Sequence, residues 1–396
     1  MVCQIEVYPI EMEKETKREG RVLIAGDLFP TEENVAYFKN GDAERLFGVE
    51  LCRLFAGTDL AVCNLEGVLS DTPGVCRKTG PVKVAPSSAV EAYRRLGIHL
   101  CLLANNHVTD GGAEGVLDTM RTLDAAGICH IGAGKDAGSI SHTLIREVGG
   151  LRIGFYNVAE TMYNRPGKTS PGVWLYDEWL VCREISVLKQ QCDYLVVAYH
   201  GGIEKYPYPS PETRKRFRRM AESGADLIVA QHTHCIGASE THHSSCLMYG
   251  QGDFLLKNFL PGRTDSGLLL ELSVSDGKVS VARHLVRSFE NRFVRYADNQ
   301  DLALWDALSL RLDDDAFLAE AFRTFCDREL ILYLTAFKSP SKWVRLLRRI
   351  SPTAYRKWLL EKAFRPDDLL FALHTLRSEQ NRETAVTGLE HLLESK

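Results

Sequence analysis

The chain is 396 residues long, 45% hydrophobic and 25% charged, with a formal net charge of -4. Such a balance belongs to a soluble globular protein with one sizeable core and room for an appendage. It excludes a general nucleic-acid binder, which needs a basic domain or stripe to neutralise phosphates. The eleven cysteines are odd in number and contain no Cys-x-x-Cys. Several, such as Cys63, Cys101 and Cys129, lie in apolar runs, so they read as reduced thiols packed as small hydrophobes. The start of the chain, with Glu6, Glu11, Glu13 and Glu15, lacks the pattern of a signal peptide, and no run reaches the roughly 20 apolar residues of a bilayer span. The expected location is therefore the cytoplasm.

After an N-terminal extension (1–20), short apolar runs alternate with helix-like segments, which predicts a layered α/β domain over 21–298. Strands are expected at 22–25, 60–64, 98–104, 194–199 and 227–230. Amphipathic helices are expected at 43–55, 88–96, 113–126, 178–191 and 211–222. Hairpins are signalled at Gly149-Gly150 and at Asp276-Gly277, where Asp-Gly is a strong two-residue turn. Beyond that domain, residues 299–396 show mostly helical periodicity. Within them, 341–365 holds eight basic residues against one acid, Glu361, a net +7, so the rest of the chain sums to -11. Interleaved Trp343, Leu346, Leu347, Ile350, Tyr355, Trp358 and Leu359 make this stretch either a helix pair for a membrane surface or capsule-assembly partner, broken at Pro352, or a helical cap on the main domain.

Residues able to bind metal recur at the ends of the expected strands. Asp27 closes the first and Glu66 the second, Asn105-Asn106-His107 closes the third with Asp110 shortly after, and His200 closes the fourth. His232 and His234 follow the fifth, where strand alternation would send i and i+2 to one face. In open α/β sheets the ligand crevice lies beyond the carboxyl ends of the strands, so these residues can converge. Singly, Asp27 or Asp110 could be a cap and either asparagine a left-handed turn residue. Glu66, between an apolar strand and a glycine, calls for a cation. A pair of divalent ions needs this mixture of carboxylate, imidazole and neutral oxygen ligands.

Gly26-Asp27, Asn64-Leu65-Glu66-Gly67, Asn105-Asn106-His107 with Asp110 and Gly112, His200-Gly-Gly-Ile-Glu204, Gly224-Ala225-Asp226 leading to His232-Thr-His234, and Tyr249-Gly-Gln-Gly252-Asp253-Phe254 together resemble the CapA-type proteins of poly-gamma-glutamate and capsule biosynthesis, of the calcineurin-like metallophosphatase superfamily. The resemblance runs in order over about 21–285. It implies an α/β metallophosphatase-like β-sandwich flanked by helices, with a helical C-terminal appendage. It further implies two divalent ions (Mn, Fe, Zn or Mg), one on Asp27 and His234 and the other on Asn106, His200 and His232. Glu66 would bridge them, His107 would be the general acid, and Asp110 and Glu204 would orient imidazoles.

The function implied is metal-dependent hydrolysis of a phosphoester or related bond of a small-molecule or polymer substrate, with a metal-bridging hydroxide as nucleophile. Amide hydrolysis or proton transfer on a gamma-glutamyl polymer, and a non-catalytic accessory role in capsule assembly, are the alternatives. Three residues depart from the pattern: Gln231 replaces a common glycine, Gly201 a common tryptophan and Asp253 a usual asparagine. The first motif also lacks the additional histidine of many metallophosphatases, which leaves the first ion short of protein ligands.

Overall fold

The structure is a computed structural model that describes residues 19–74, 80–160, 166–257, 266–290, 292–297, 302–337 and 349–377. Alternation within the first strand, β1 (Gly20–Leu28), decides the layering. Val22 and Ile24 turn to one side, Leu23 and Ala25 to the other, and all four are buried. A strand covered on both faces belongs in the middle of a stack. β2 (Leu60–Leu65), β3 (Leu100–Leu102) and β4 (Cys129–Ile131) extend the sheet in parallel from β1.

The chain then builds a second sheet from β5 (Thr143–Val148), β6 (Leu151–Ala159), β7 (Tyr194–His200), β8 (Leu227–Gln231), β9 (Ser239–His242) and β10 (Ser245–Met248), in the order β9-β10-β8-β7-β6-β5. It returns to the first sheet with β11 (Asp253–Leu255), parallel to β1, and an antiparallel meander of β12 (Ser266–Ser275), β13 (Lys278–Phe289) and β14 (Phe293–Tyr296). Both expected hairpins form, and Gly149, Gly150, Asp276 and Gly277 all take the positive φ that a tight two-residue turn demands.

Between the sheets, Val22, Ile24, Val62 and Leu102 meet Phe155, Val196, Ala198 and Val229. The outer face of the first sheet is covered by helices Ala43–Ala56, Val90–Leu96 and Gly112–Ala125, which supply Leu46, Phe47, Phe55, Tyr93 and Leu123. Helices Glu178–Lys189 and Pro211–Glu222 bury Val181, Ile185, Phe217 and Met220, with Phe217 edge-on to Tyr199 of β7. Their starts are set by Asp177 and Ser210, which cap Leu180 and Thr213 amides. The molecule is thus the helix-flanked α/β β-sandwich that the sequence implies.

Two expectations shift. Cys63 and Cys101 are buried, but Cys129 lies on the edge strand β4 and is exposed. The first compact unit runs to Asp314, past the expected break at 298/299, because Leu302 and Trp305 of helix Leu302–Ser309 pack against the inter-sheet core and the Ser239 amide donates to Ser309 Oγ.

The second unit, Asp315–Lys396, holds helices Asp315–Phe337, Pro352–Trp358 and Pro366–Arg377, with a π-turn over Leu359–Ala363. Pro352 opens its helix behind a Ser351 cap. Of the basic stretch, residues 341–348 lie outside the described residues. In the remainder Tyr355, Leu359 and Ala363 form a small core, while Arg349, Arg356, Lys357, Lys362 and Arg365 are exposed. No described helix is long and apolar enough to cross a membrane.

Candidate metal centre

The carboxyl ends of β1, β2, β3, β7 and β8 open at one edge of the sandwich. A register shift between Ala25 and Asp27 makes Gly26 a bulge in β1, which re-aims Asp27 inward. Asp27 then stands beside Asn64 on one flank and Asp253 on the other. Gly26 also sets how near β11 can come. A Cβ there would lie 2.4 Å from the Gly252 carbonyl oxygen, so only glycine permits the approach.

Asn64 organises the floor. Its amide nitrogen donates to Asp27 Oδ1 (2.7 Å) and to His200 Nδ1 (3.2 Å), and its oxygen accepts from Asn105 (3.2 Å). On the other side of the ring, His200 Nε2 lies 3.0 Å from Asn106 Oδ1. Neighbouring ligands of one cation, each at about 2.1 Å, are separated by roughly that distance. Asp27 Oδ2 accepts from the His232 amide (3.1 Å) and lies 3.6 Å from His234 Nδ1. His234 Nδ1 also meets Asp253 Oδ1 at 2.7 Å, while its Nε2 stands 3.9 Å from Glu66 Oε1. The His200 and His232 rings are 4.9 Å apart, and those of His232 and His234 5.8 Å. His107 Nδ1 donates to Asp110 Oδ2 (2.6 Å), which also accepts from the Lys83 amide, and His107 Nε2 lies 3.7 Å from Glu66 Oε1.

Glu66 is fully buried, and neither of its oxygens has a hydrogen-bond donor among the described residues, although the Lys83 ammonium pairs with Oε1 at 2.9 Å. The buried His232 Nδ1 is also without a hydrogen-bond partner among the described residues. Orphaned buried acceptors are costly and mark places where an ion or water completes the structure. Two sets of donor atoms converge to within 4.8 Å, Glu66 with His232 and His234, and Asp27 with His234 and Asp253. The donor chemistry and the orphaned atoms fit divalent cations.

The electrostatics agree. Burial pushes Asp27 up to about 8, with Glu66 adding to the effect. Burial also opposes the charge on Glu66, but Lys83, then His234 and His107, outweigh it and hold Glu66 well below the carboxylate range. Burial presses His232 down to about 3 and His200 well below its usual value. For His234 burial is overcome by Asp253, Glu66 and Asp27, which raise it to about 10. Glu66, His200 and His232 thus already have the protonation states that metal ligands need, whereas Asp27 and His234 hold protons at neutral pH that a bound cation would have to displace.

All six expected ligands, Asp27, Glu66, Asn106, His200, His232 and His234, meet here, as do His107 and Asp110. The histidine pair is brought together by a different device from the one expected. β8 ends at Gln231, and His232 (φ 88°) and His234 (φ 49°) sit in a turn of left-handed backbone, so strand alternation does not juxtapose them. Glu204 is largely exposed and reaches His232 Nε2 only at 3.8 Å, outside hydrogen-bond range. Asn64, Asp253 and Lys83 were not among the expected site residues. The usable signals were a polar residue inside a fully buried strand for Asn64 and a charged residue in the motif over 249–254 for Asp253; Lys83 gave none.

Residues 21–258 match the family model described as bacterial capsule synthesis protein PGA_cap. The chain belongs to that family. Its curated relatives include the capsule biosynthesis protein CapA of Bacillus anthracis, 27% identical over 191 residues (47% of this chain, 46% of the relative). The PGA biosynthesis protein CapA of Bacillus subtilis (strain 168) is 31% identical over 185 residues, 46% of this chain and 48% of the relative. A Mycobacterium tuberculosis relative, 27% identical over 217 residues (50% and 55%), is named a probable polyglutamine synthesis accessory protein. This PGA_cap chain therefore spans about half the length of the curated relatives it matches. Among solved structures, a 5'-nucleotidase precursor from Thermus thermophilus is similar over 80% of this chain and 60% of its own, at 15% identity and a TM-score of 0.43.

Proposed function

We propose that this PGA_cap protein is a divalent-metal-dependent hydrolase of a phosphoester or related bond in capsule or exopolymer biosynthesis. The observation that carries the proposal is Glu66, a buried carboxylate ion-paired with Lys83 but with no hydrogen-bond donor on either oxygen among the described residues, ringed by His107, His232 and His234. Asp27 and His234 would hold one cation, Asn106, His200 and His232 a second, with Glu66 between them. When bound, such cations bring a coordinated water towards ionisation at neutral pH and offset charge on the reacting group.

The chain's own residues supply the rest. Asp110 accepts the Nδ1–H hydrogen bond of His107 and leaves Nε2 facing the centre, where the doubly protonated imidazole would give its Nε2 proton to a departing oxygen. Burial lowers the His107 pKa, so this acid form is the minor one at neutral pH but gives up its proton readily. A cavity of about 370 Å³ lined by Phe29, Lys39, Lys83, Val84 and Leu256 shares Lys83 with the Glu66 ion pair.

The test is to quantify metal in the purified chain and assay phosphomonoesters, phosphodiesters and gamma-glutamyl oligomers before and after chelation. Hydrolysis lost on chelation and in His232→Ala is expected; activity indifferent to both ends the proposal. Shortened gamma-glutamyl chains with intact phosphoesters would move the chemistry to amides. The accessory role in one relative's name supports a second reading, a metal-bound but non-hydrolytic assembly component, which metal binding without turnover on any substrate would favour. Docking of that component through residues 341–365 would appear as liposome sedimentation that is lost when 341–396 are removed.

A further inference from the structure

Two of the residues that depart from the family pattern, Gln231 and Asp253, turn out to be parts of one device. Gln231, the last residue of β8, donates its side-chain amide to Gln251 Oε1 (3.1 Å) across the gap between the sheets. Gln251 is fully buried and in turn donates to the carbonyls of Ile24 (2.8 Å) and Leu268 (2.9 Å), which pins the segment entering β11 between β1 and β12. Close glycine packing completes the clamp. Besides the Gly26 contact, a Cβ on Gly267 would lie 2.1 Å from the Asp253 carbonyl oxygen. The position of Asp253 is therefore fixed by backbone packing and by buried amides, and its 3% exposure leaves it no solvent to turn towards.

From this geometry we infer that Asp253 is a positioning residue for the metal centre: its carboxylate holds the Nδ1 proton of His234, so that Nε2 is presented to the cation shared with Glu66. A carboxylate only accepts, so the 2.7 Å contact assigns the proton to Nδ1 and leaves Nε2, 3.9 Å from Glu66 Oε1, as the ligating atom. An asparagine could accept the same hydrogen bond but would bring no charge. The aspartate makes the imidazole a stronger donor and adds a third buried carboxylate, with Asp27 and Glu66, to the cationic centre. It also offsets the missing histidine of the first motif: the cation at Asp27 gains a nearby charge where it lacks a ligand. The inference rests on the metal centre proposed above.

The test is a titration of metal-free full-length protein with Co²⁺, read by visible absorption and by calorimetry, for wild type, Asp253→Asn and Asp253→Glu. Loss of the charge in Asp253→Asn is expected to weaken Co²⁺ binding by about 10- to 100-fold and to shift the d–d bands, with the circular dichroism of the metal-free protein unchanged. Asp253→Glu is expected to recover part of the affinity. If wild type binds Co²⁺ and Asp253→Asn binds it within about twofold with a superimposable spectrum, the positioning role is overturned while the metal centre stands. If wild type binds no Co²⁺ at all, the metal centre itself falls and this role with it. Should Asp253→Asn fail to fold, Asp253→Glu decides alone, because wild-type affinity and bands require the carboxylate to be retained, and a glutamate variant folded but metal-free contradicts the role.

Discussion

Replacing Gly26 with alanine separates the position of Asp27 from its chemistry, because no ligand is removed. Gly26 does not use left-handed backbone, so alanine is sterically acceptable locally, and the cost comes from what its Cβ meets. That Cβ would lie 2.4 Å from the Gly252 carbonyl oxygen, where real contacts essentially never fall below 3.0 Å, so β1 and the Gly252–Asp253 backbone must separate by at least 0.6 Å. Backbone on both sides cannot rotate away, so the strain falls in the range of about 1–3 kcal/mol typical of overpacking. The same shift moves Asp27 and Asp253 apart by more than the roughly 0.5 Å tolerance of a preorganised site, and metal affinity should drop by about tenfold or more. Urea denaturation of the metal-free protein and a calorimetric metal titration read the two effects. An alanine variant with stability within about 0.5 kcal/mol of the parent and unchanged affinity would refute the close strand approach as the device that builds the site.

Lys83→Met leaves Glu66 buried without its nearest cation, so metal-free protein should lose about 3–5 kcal/mol in denaturation, and added Mn²⁺ should restore much of it; an identical loss with and without metal would mean that Glu66 does not meet the ion. Chelation should lower stability by about 2.7 kcal/mol per site relative to protein with metal at 100 times its Kd, visible as a drop in Tm. In the chelated protein Asp27 and His234 have folded pKa values raised to about 8 and about 10, so the stability they contribute is lost as pH rises through those values. His232, depressed to about 3, contributes stability that is lost as pH falls below its ordinary value of 6.5. The Tm of chelated protein should therefore decline from about pH 6.5 to 10, and metal should abolish that decline, since deprotonated ligands bind it better. A rising alkaline limb without metal would contradict these shifts.

Much of the sandwich was legible because its central strands are buried on both faces and so read as short apolar runs bounded by turn residues. The ligands were legible for the same reason: Asp27, Glu66, His200 and His232 are the first ionisable residues after those runs. What escaped lay in long-range geometry. Lys83 belongs to a segment without periodicity and reaches Glu66 through tertiary packing. Asp253 enters through a three-residue strand whose partner, β1, is over two hundred residues away in sequence. Left-handed backbone at His232 and His234 has only a weak signature in residue type, since histidine tolerates it but neither residue is glycine or asparagine.

The central claim is that side chains from both sheets share a cationic centre, and an anomalous-scattering map of Mn²⁺-loaded crystals tests it most directly. The account expects peaks enclosed by Asp27, Glu66, Asn106, His200, His232 and His234. A map with no anomalous density there, from crystals whose protein retains the fold, would contradict it.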